Sequence, residues 1–383
     1  MRKFSRFQTA LFVTVAMLLL FSALVVSASF YLFDGDKWRE MSKIVPRGYV
    51  AHYTDTPIVI DGELKDLAWR TAPFTEYFID IEGPDKTRPK YRTQAKMLWD
   101  DEYFYIAAHL QDPHVWGTLT EHDSVIFYDN DFEVFIDPNS DNHEYYEIEI
   151  NALNTEWDLF LPKPYKDQTK VQNEWEIPGM KKAVHVYGTL NDPKDVDRGW
   201  SVEFAFPWEV LGEYAHKPSP PVEGDQWRVN FSRVQWQHEL YDVKEKKGKI
   251  TSGKYRKVKG VRENNWVWSP QGVINMHTPD KWGYVQFTKE KPGTVEFSPD
   301  LTEPARNILH GIYRVQRDYI KIHGKYAANV EDLGINFGTH PSIISQPEIE
   351  LTADGFKAFC TVILPGGITK VVSVRQDSLV EVK

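Results

Sequence analysis

From residue 49 onward, apolar and polar positions alternate in short runs with a period of two. Gly199 to Pro207 shows the pattern best, with Trp200, Val202, Phe204 and Phe206 on one face and Ser201, Glu203 and Ala205 on the other, the signature of a half-buried strand. Tyr91 to Trp99 and Tyr103 to Leu110 flank the acidic turn Asp100-Asp101-Glu102 and predict a hairpin. Asp131 to Asp137, Tyr145 to Asn151 and Thr155 to Leu161 predict a meander, and Trp227 to Val234 and Trp266 to Trp268 extend the series. Breakers separate these runs at Pro162, Pro164, Asp192-Pro193, Pro218, Pro220 and Pro221. Many short strands punctuated in this way predict an all-β antiparallel sandwich.

Both ends depart from that pattern. Residues 7 to 33 carry no charge and follow Arg2, Lys3 and Arg6, which reads as a signal peptide or membrane anchor entering with its N-terminus inside. Val26-Ser-Ala28 offers a small-residue cleavage site, while the apolar run is also long enough to span a bilayer. Everything beyond residue 33 is therefore expected to be exported. Residues 34 to 48 are mixed, charged and without periodicity, so they read as a linker. Thr302 to His323 places Ile308, Ile312, Val315 and Tyr319 at helical spacing, and Gly324 supplies a stop, which predicts one long amphipathic helix. Glu348 to Leu364, Pro365-Gly-Gly367 and Ile368 to Val374 predict a β-hairpin. The expected division is 1–33 signal or anchor, 34–48 linker, 49–290 sandwich and 291–383 helix plus hairpin.

Composition narrows the function classes. The chain has 383 residues, a formal charge of −10 and no single concentrated basic run, so the electrostatic footprint of a nucleic-acid binder is absent. The most basic stretch, residues 240 to 262, reads as a solvated loop or hairpin arm. Cys360 is the only cysteine; no intramolecular disulfide is possible, and stability must come from packing or bound ions. No Ser or Cys elbow, His-Glu-x-x-His or phosphate loop is present. Glu147 and Glu149 share one strand face, but i and i+2 carboxylates project in parallel and cannot readily flank a bond from opposite sides. A non-catalytic protein is expected.

Ile58-Val-Ile-Asp-Gly-Glu-Leu-Lys-Asp-Leu-Ala-Trp69 is followed in order by Met97-Leu-Trp-Asp-Asp-Glu-Tyr-Phe-Tyr-Ile106, Asp131-Phe-Glu-Val-Phe-Ile-Asp137 and Trp282-Gly-Tyr-Val-Gln-Phe287. This ordered set resembles the family 9 carbohydrate-binding modules, over about residues 49 to 287. The resemblance implies binding of an oligo- or polysaccharide between two aromatic rings, and a structural calcium ion. The two ring positions fall near Phe127 and near Met276 and His277, and neither holds Trp.

Sugar recognition needs flat apolar faces beside directional polar groups. Phe127, Tyr128, Trp266 and Trp268 are the candidate rings, and Arg233, Gln235, Asn275, Met276 and His277 the candidate partners, whereas Trp69 and Trp99 are expected in the core. For calcium, the hard oxygens of Asp129, Asp131, Asp137 and Asp141, with Asn130, Asn139 and Asn142, are candidates; the same residues also make a good turn. Met276 and His277 keep open a b-type haem module of similar outline, and the missing tryptophans a surface scaffold that has lost ligand binding. Covalent haem is excluded by the absence of Cys-x-x-Cys-His.

Overall fold

A computed structural model describes residues 35–244 and 250–383, with side chains over 38–241 and 254–383. The N-terminal apolar run lies outside the described residues. Among the described residues, no helix is long and apolar enough to cross a membrane.

The alternating runs become strands β1 (Gly48–Tyr53), β2 (Ile79–Asp80), β3 (Thr93–Trp99), β4 (Tyr103–Leu110), β5 (Asp131–Asp137), β6 (Tyr145–Asn151), β7 (Glu156–Leu161), β8 (Lys181–Tyr187), β9 (Gly199–Pro207) and β10 (Gln226–Gln235). Then follow the arm strands β11 (His238–Lys244) and β12 (Ile250–Lys257), and β13 (Asn264–Val267) and β14 (Gly283–Thr288). All but the arm join one sheet in the order β7-β6-β5-β10-β14-β1-β3-β4-β9-β8, with β13 and β2 branching from β10. This sheet folds over itself into a sandwich. Its two halves close on a core that includes Met97, Trp99, Phe104 and Phe204 from one side and Phe132, Ile148, Trp227 and Phe231 from the other. The expected antiparallel pairing is broken at one strand: β1 runs parallel to both β14 and β3, at the seam between the halves.

The period-two reading of β9 holds for its inner face, but the polar face is closed as well. Glu203 is fully buried and accepts hydrogen bonds from Trp69 Nε1 at 2.7 Å and from the Asp61 and Gly62 amides at 2.9 and 2.7 Å. The segment that ends in the short helix α2 (Leu67–Thr71) lies over the sheet and satisfies the buried carboxylate, as burial of a charge requires. Trp69 and Trp99 are core residues.

The expected linker is partly ordered. Gly35–Lys43 forms helix α1, which buries Trp38 and Met41 and packs on the C-terminal unit. Two apolar residues one turn apart are too few to show a periodicity in sequence. After α3 (Trp208–Leu211), the next helix is α4 (Glu303–His323), stopped by Gly324 in the left-handed region at φ 70°. It packs on a four-stranded antiparallel sheet, β15 (Glu348–Leu351), β16 (Phe356–Ile363), β17 (Thr369–Arg375) and β18 (Val380–Val382), rather than on a lone hairpin. This unit has its own core, in which Cys360 is buried.

Polar contacts dock the two units. Asn142 Nδ2 lies 2.7 Å from His310 Nε2, and His310 Nδ1 lies 2.8 Å from the Arg306 carbonyl, which makes Nδ1 the protonated nitrogen of a neutral ring. Burial, with Arg314 and Lys166 nearby, holds His310 down at about 3 despite Asp280. The folded value lies below the ordinary 6.5 of the unfolded chain. Below pH 6.5 the unfolded chain therefore takes up a proton that the folded protein refuses, until the pH approaches 3. The contribution of His310 is present above 6.5 and falls by up to about 1.4 kcal/mol per pH unit below it. We predict that the stability difference between wild type and His310→Gln, measured by denaturant unfolding, shifts toward the variant as pH falls from 7 to 4.

Candidate functional site

The outer face of β5, β6 and β10 carries the chemistry. Register pairs Glu133 with Glu149 and Phe135 with Glu147 across β5 and β6, Glu149 with Trp157 across β6 and β7, and Glu133 with Ser232 across β5 and β10. Directly opposed side chains on one face stand about 5 Å apart at Cβ, so two like carboxylates confront one another. The loop Ile274 to His277 and residues Tyr165, Phe127, Arg262 and Glu263 wall this face into a cleft of about 450 Å³. Trp157 is half-buried there and stacks on no other ring among the described residues.

Four carboxylates on this face, Asp131, Glu133, Glu147 and Glu149, are buried. Asp131 Oδ1 accepts the Val234 amide at 3.1 Å and Glu149 Oε2 the Phe127 amide at 2.8 Å. Asp131 Oδ2, Glu133 Oε2 and Glu147 Oε2 have no hydrogen-bond partner. Among the described residues, no lysine or arginine lies within ion-pair distance of any of the four; His277 Nε2, 3.9 Å from Glu147, is the nearest basic nitrogen. Burial pushes Glu133 up to about 7, and burial together with the Glu133 charge raises Asp131, Glu147 and Glu149 well above the carboxylate range. His277 is itself held down at about 3, by burial and then by Lys166, and its Nδ1 lies 2.9 Å from the Tyr145 hydroxyl. It is a neutral polar wall of the cleft.

The candidate ligand residues divide into three groups. Phe127, Asn275, Met276 and His277 line the cleft. Tyr128 is 54% exposed beside it, its ring 4.9 Å from that of Phe127. Arg233 and Trp268 are closed to any ligand, because inner-face alternation carries them into the sandwich. Arg233 is buried against Asp112 at 3.2 Å, donates to Gln235 and Thr93, and lies over the Tyr91 and Trp266 rings; Trp268 packs on Phe231. Gln235 and Trp266 border a second, larger cavity of about 730 Å³ with Trp236, His114, His238 and Tyr255. Volume does not decide between them, since a third cavity beside Phe74, Tyr77 and Arg92 reaches about 840 Å³. The 730 Å³ cavity holds one unpartnered buried nitrogen, His238 Nδ1, whereas the cleft gathers the unpartnered carboxylate oxygens of Glu133 and Glu147, which makes it the candidate site. Glu147 and Glu149 do share a face, yet that face is covered rather than open to solvent. Glu133, Trp157, Tyr165, Arg262 and Glu263 are the residues that sequence reasoning missed.

The calcium candidates do not gather. Asp131 and Asp137 end a seven-residue strand and stand about 20 Å apart. Asp129 is spent on the Thr118 and Leu119 amides, the Thr118 hydroxyl and Asn151. Asp137 accepts the Ser140 and Asn142 amides, and Asp141 the Asn139 and His143 groups. These four residues do not form one ion site. The turn from 137 to 142 is instead the socket for the C-terminal unit: the Ser140 carbonyl accepts Arg306 at 2.7 Å, the Asp141 carbonyl the Val380 amide at 3.0 Å, and Asn142 donates to the Ser378 carbonyl at 3.0 Å. The haem alternative finds little geometry, since Met276 packs toward Trp282 while the adjacent His277 is tied to Tyr145.

Residues 60–289 match the family described as carbohydrate family 9 binding domain-like. A stretch of 156 residues, 40% of this chain, is 27% identical to exoglucanase XynX of Acetivibrio thermocellus and 26% identical to endo-1,4-beta-xylanase A of Thermoanaerobacterium saccharolyticum. The match spans only 12% and 11% of those proteins. Among solved structures, a family 9 module from Caldicellulosiruptor kristjanssonii in complex with cellotriose aligns over 66% of this chain and 100% of its own, at 15% identity and a TM-score of 0.41. A putative carbohydrate-binding protein from Bacteroides uniformis aligns over 63% of this chain and 100% of its own, at 14% identity and a TM-score of 0.45.

Proposed function

Since the chain belongs to the carbohydrate family 9 binding domain-like family, we propose that its cleft binds a glycan and catalyses no reaction on it. The observation that carries this reading is one half-buried indole, Trp157, beside buried carboxylates whose oxygens lack partners. A pyranose offers both complements, an apolar C–H face for the ring and hydroxyl donors for the carboxylates. Glu133, Glu147, Asn275 and His277 are the polar contacts, and Trp157, Phe127 and Tyr165 the flat ones. The absence of catalysis rests on two supports. The family is one of binding modules, and the close carboxylates stand on adjacent positions of one sheet face, not on two sides of a bond.

The N-terminal apolar run supports an exported protein, and the matched relatives suggest cello- and xylo-oligosaccharides as first ligands. The test is retardation of the chain in gels cast with a panel of soluble β- and α-glucans, xylans and mannans. Retardation by at least one is expected, with Tyr128→Ala within about twofold of wild type, because a ring on the rim contributes little next to a desolvated centre. Migration unaffected by every glycan would overturn the reading.

A further inference from the structure

We propose that the outer face of β3 and β4 carries a second binding site, for a polysaccharide bearing carboxylate or sulfate groups. It is the cavity of about 840 Å³ beside Phe74 and Tyr77, within the size range of small-molecule sites. It lies in the other half of the sheet from the cleft on β5, β6 and β10. Register builds its floor: Gln94 stands opposite His109 across β3 and β4. Arg92 and Gln111, each two residues along its strand and so on the same face, are joined where the Gln111 amide donates to the Arg92 carbonyl at 2.8 Å. Arg198, just before β9, borders the floor on the far side of β4. The segment 74–78 forms the near wall. It runs beside β3, with the Thr75 and Phe78 amides donating to the Ala95 and Thr93 carbonyls at 2.8 and 3.0 Å.

Charge sets this groove apart. No carboxylate is among its lining residues. Arg92 and Arg198 are exposed, and among the described residues neither guanidinium makes an ion pair or a hydrogen bond. Each lies over a tyrosine ring instead, Arg92 over Tyr77 at 5.3 Å and Arg198 over Tyr187 at 5.4 Å. His109 is held below its ordinary value by burial and then by Arg233 and Arg198, with no carboxylate to raise it. On a chain of formal charge −10 this is a local reversal of sign, and such a patch concentrates an anionic ligand. Flat apolar surface stands beside it, since Phe74 and Tyr77 are 46% and 47% exposed. The two amides are half used: Gln94 Nε2 donates to the Thr75 carbonyl at 2.7 Å and Gln111 Oε1 accepts the Arg92 amide at 3.3 Å, which leaves an acceptor on Gln94 and a donor on Gln111.

An acidic sugar meets each of these groups. The planar forks of the arginines match the paired oxygens of a carboxylate or sulfate, the rings take the C–H face of a pyranose, and the amides read its hydroxyls. A neutral glycan would leave both guanidiniums without a partner, which separates this groove from the carboxyl-lined cleft. The groove stands independently of the glycan reading of the cleft. The rival carrier of anion binding is the basic arm, residues 240–262, and the test distinguishes the two.

The chain is run in gels cast with polygalacturonate or alginate for the carboxylate and dextran sulfate for the sulfate, with melting curves confirming that every variant folds. Wild type is expected to be retarded by at least one of them, and less so as salt rises from about 0.05 to 0.5 M. The double variant Arg92→Gln with Arg198→Gln should bind at least about tenfold more weakly, because it loses charge-assisted contacts. Tyr77→Ala should weaken binding several-fold at unchanged charge, a loss that unspecific attraction would not give. Lys254→Gln with Lys259→Gln removes the same charge from exposed positions on the arm and should stay within about twofold of wild type. The site is overturned if no acidic polysaccharide retards the chain, if the arm pair loses as much as the groove pair, or if duplex DNA or anionic vesicles bind while acidic polysaccharides do not. Retardation of the groove pair by neutral glycans should equal that of wild type, so failure of this site and failure of the cleft reading are distinguishable.

Discussion

Asp280→Asn is expected to destabilise the protein by about 3–5 kcal/mol. Burial alone would raise Asp280, but Arg314, with Lys166 and Lys281, overcomes it and holds the carboxyl well below its ordinary range. Arg314 Nη2 lies 2.5 Å from Asp280 Oδ2, and both side chains are buried, at 8% and 3% exposure. Burial already pushes Lys166 and Lys281 down to about 8 against the support of Asp280. An amide in place of the carboxylate would leave buried Arg314 without its ion-pair partner and take from Lys166 and Lys281 their largest electrostatic support, which is the costly way to break a buried pair. Asp280 belongs to the sandwich and Arg314 to α4, so the loss falls on the docking of the two units. Calorimetry should show a lower melting temperature and a broadened or divided transition, because the sandwich and the C-terminal unit have separate cores and lose the contact that couples them. An unchanged single transition would contradict this account of the interface.

Trp157→Ala is expected to weaken glycan binding by roughly 30-fold or more, the cost of about 2 kcal/mol that marks an aromatic hot spot. The ring is half-buried on β7 opposite Glu149, packed against the cluster beneath it and lining the cleft, so its exposed part is available to a sugar. Its removal should change stability little, because the hydrophobic clusters beneath it are anchored by Leu159, Leu161, Phe135 and Trp282. Affinity gels and a melting curve on the same sample check both halves. Equal loss of folding and binding would make Trp157 a core residue, not a contact.

Local patterns in the sequence carried the sandwich. The period of two in β9, the acidic turn between β3 and β4, and Gly324 at the end of α4 are all encoded within a few residues, and each has a direct structural counterpart. What stayed hidden depends on partners distant in sequence. Glu203 reads as an exposed strand residue until Trp69, 134 positions away, donates to it. Glu133 and Glu149 become a pair only through the register of β5 on β6, and a shift of one residue would send them to opposite faces. The acidic turn from 137 to 142 has the composition of both an ion loop and a socket. Only the arrival of Arg306, His310 and Val380 from a different unit decides between them. Arg233 and Trp268 looked available because polar and aromatic residues near strand ends often are, whereas Arg233 is satisfied by Asp112, Thr93 and Gln235 inside the fold.

The most direct test of glycan recognition at the cleft is calorimetric titration of the chain with an oligosaccharide that retards it in gels, run in parallel on wild type and Trp157→Ala. The account predicts saturable one-to-one heat from wild type and none measurable at the same concentrations from a folded Trp157→Ala. Equal heats from the two proteins would place the sugar elsewhere on the molecule and contradict it.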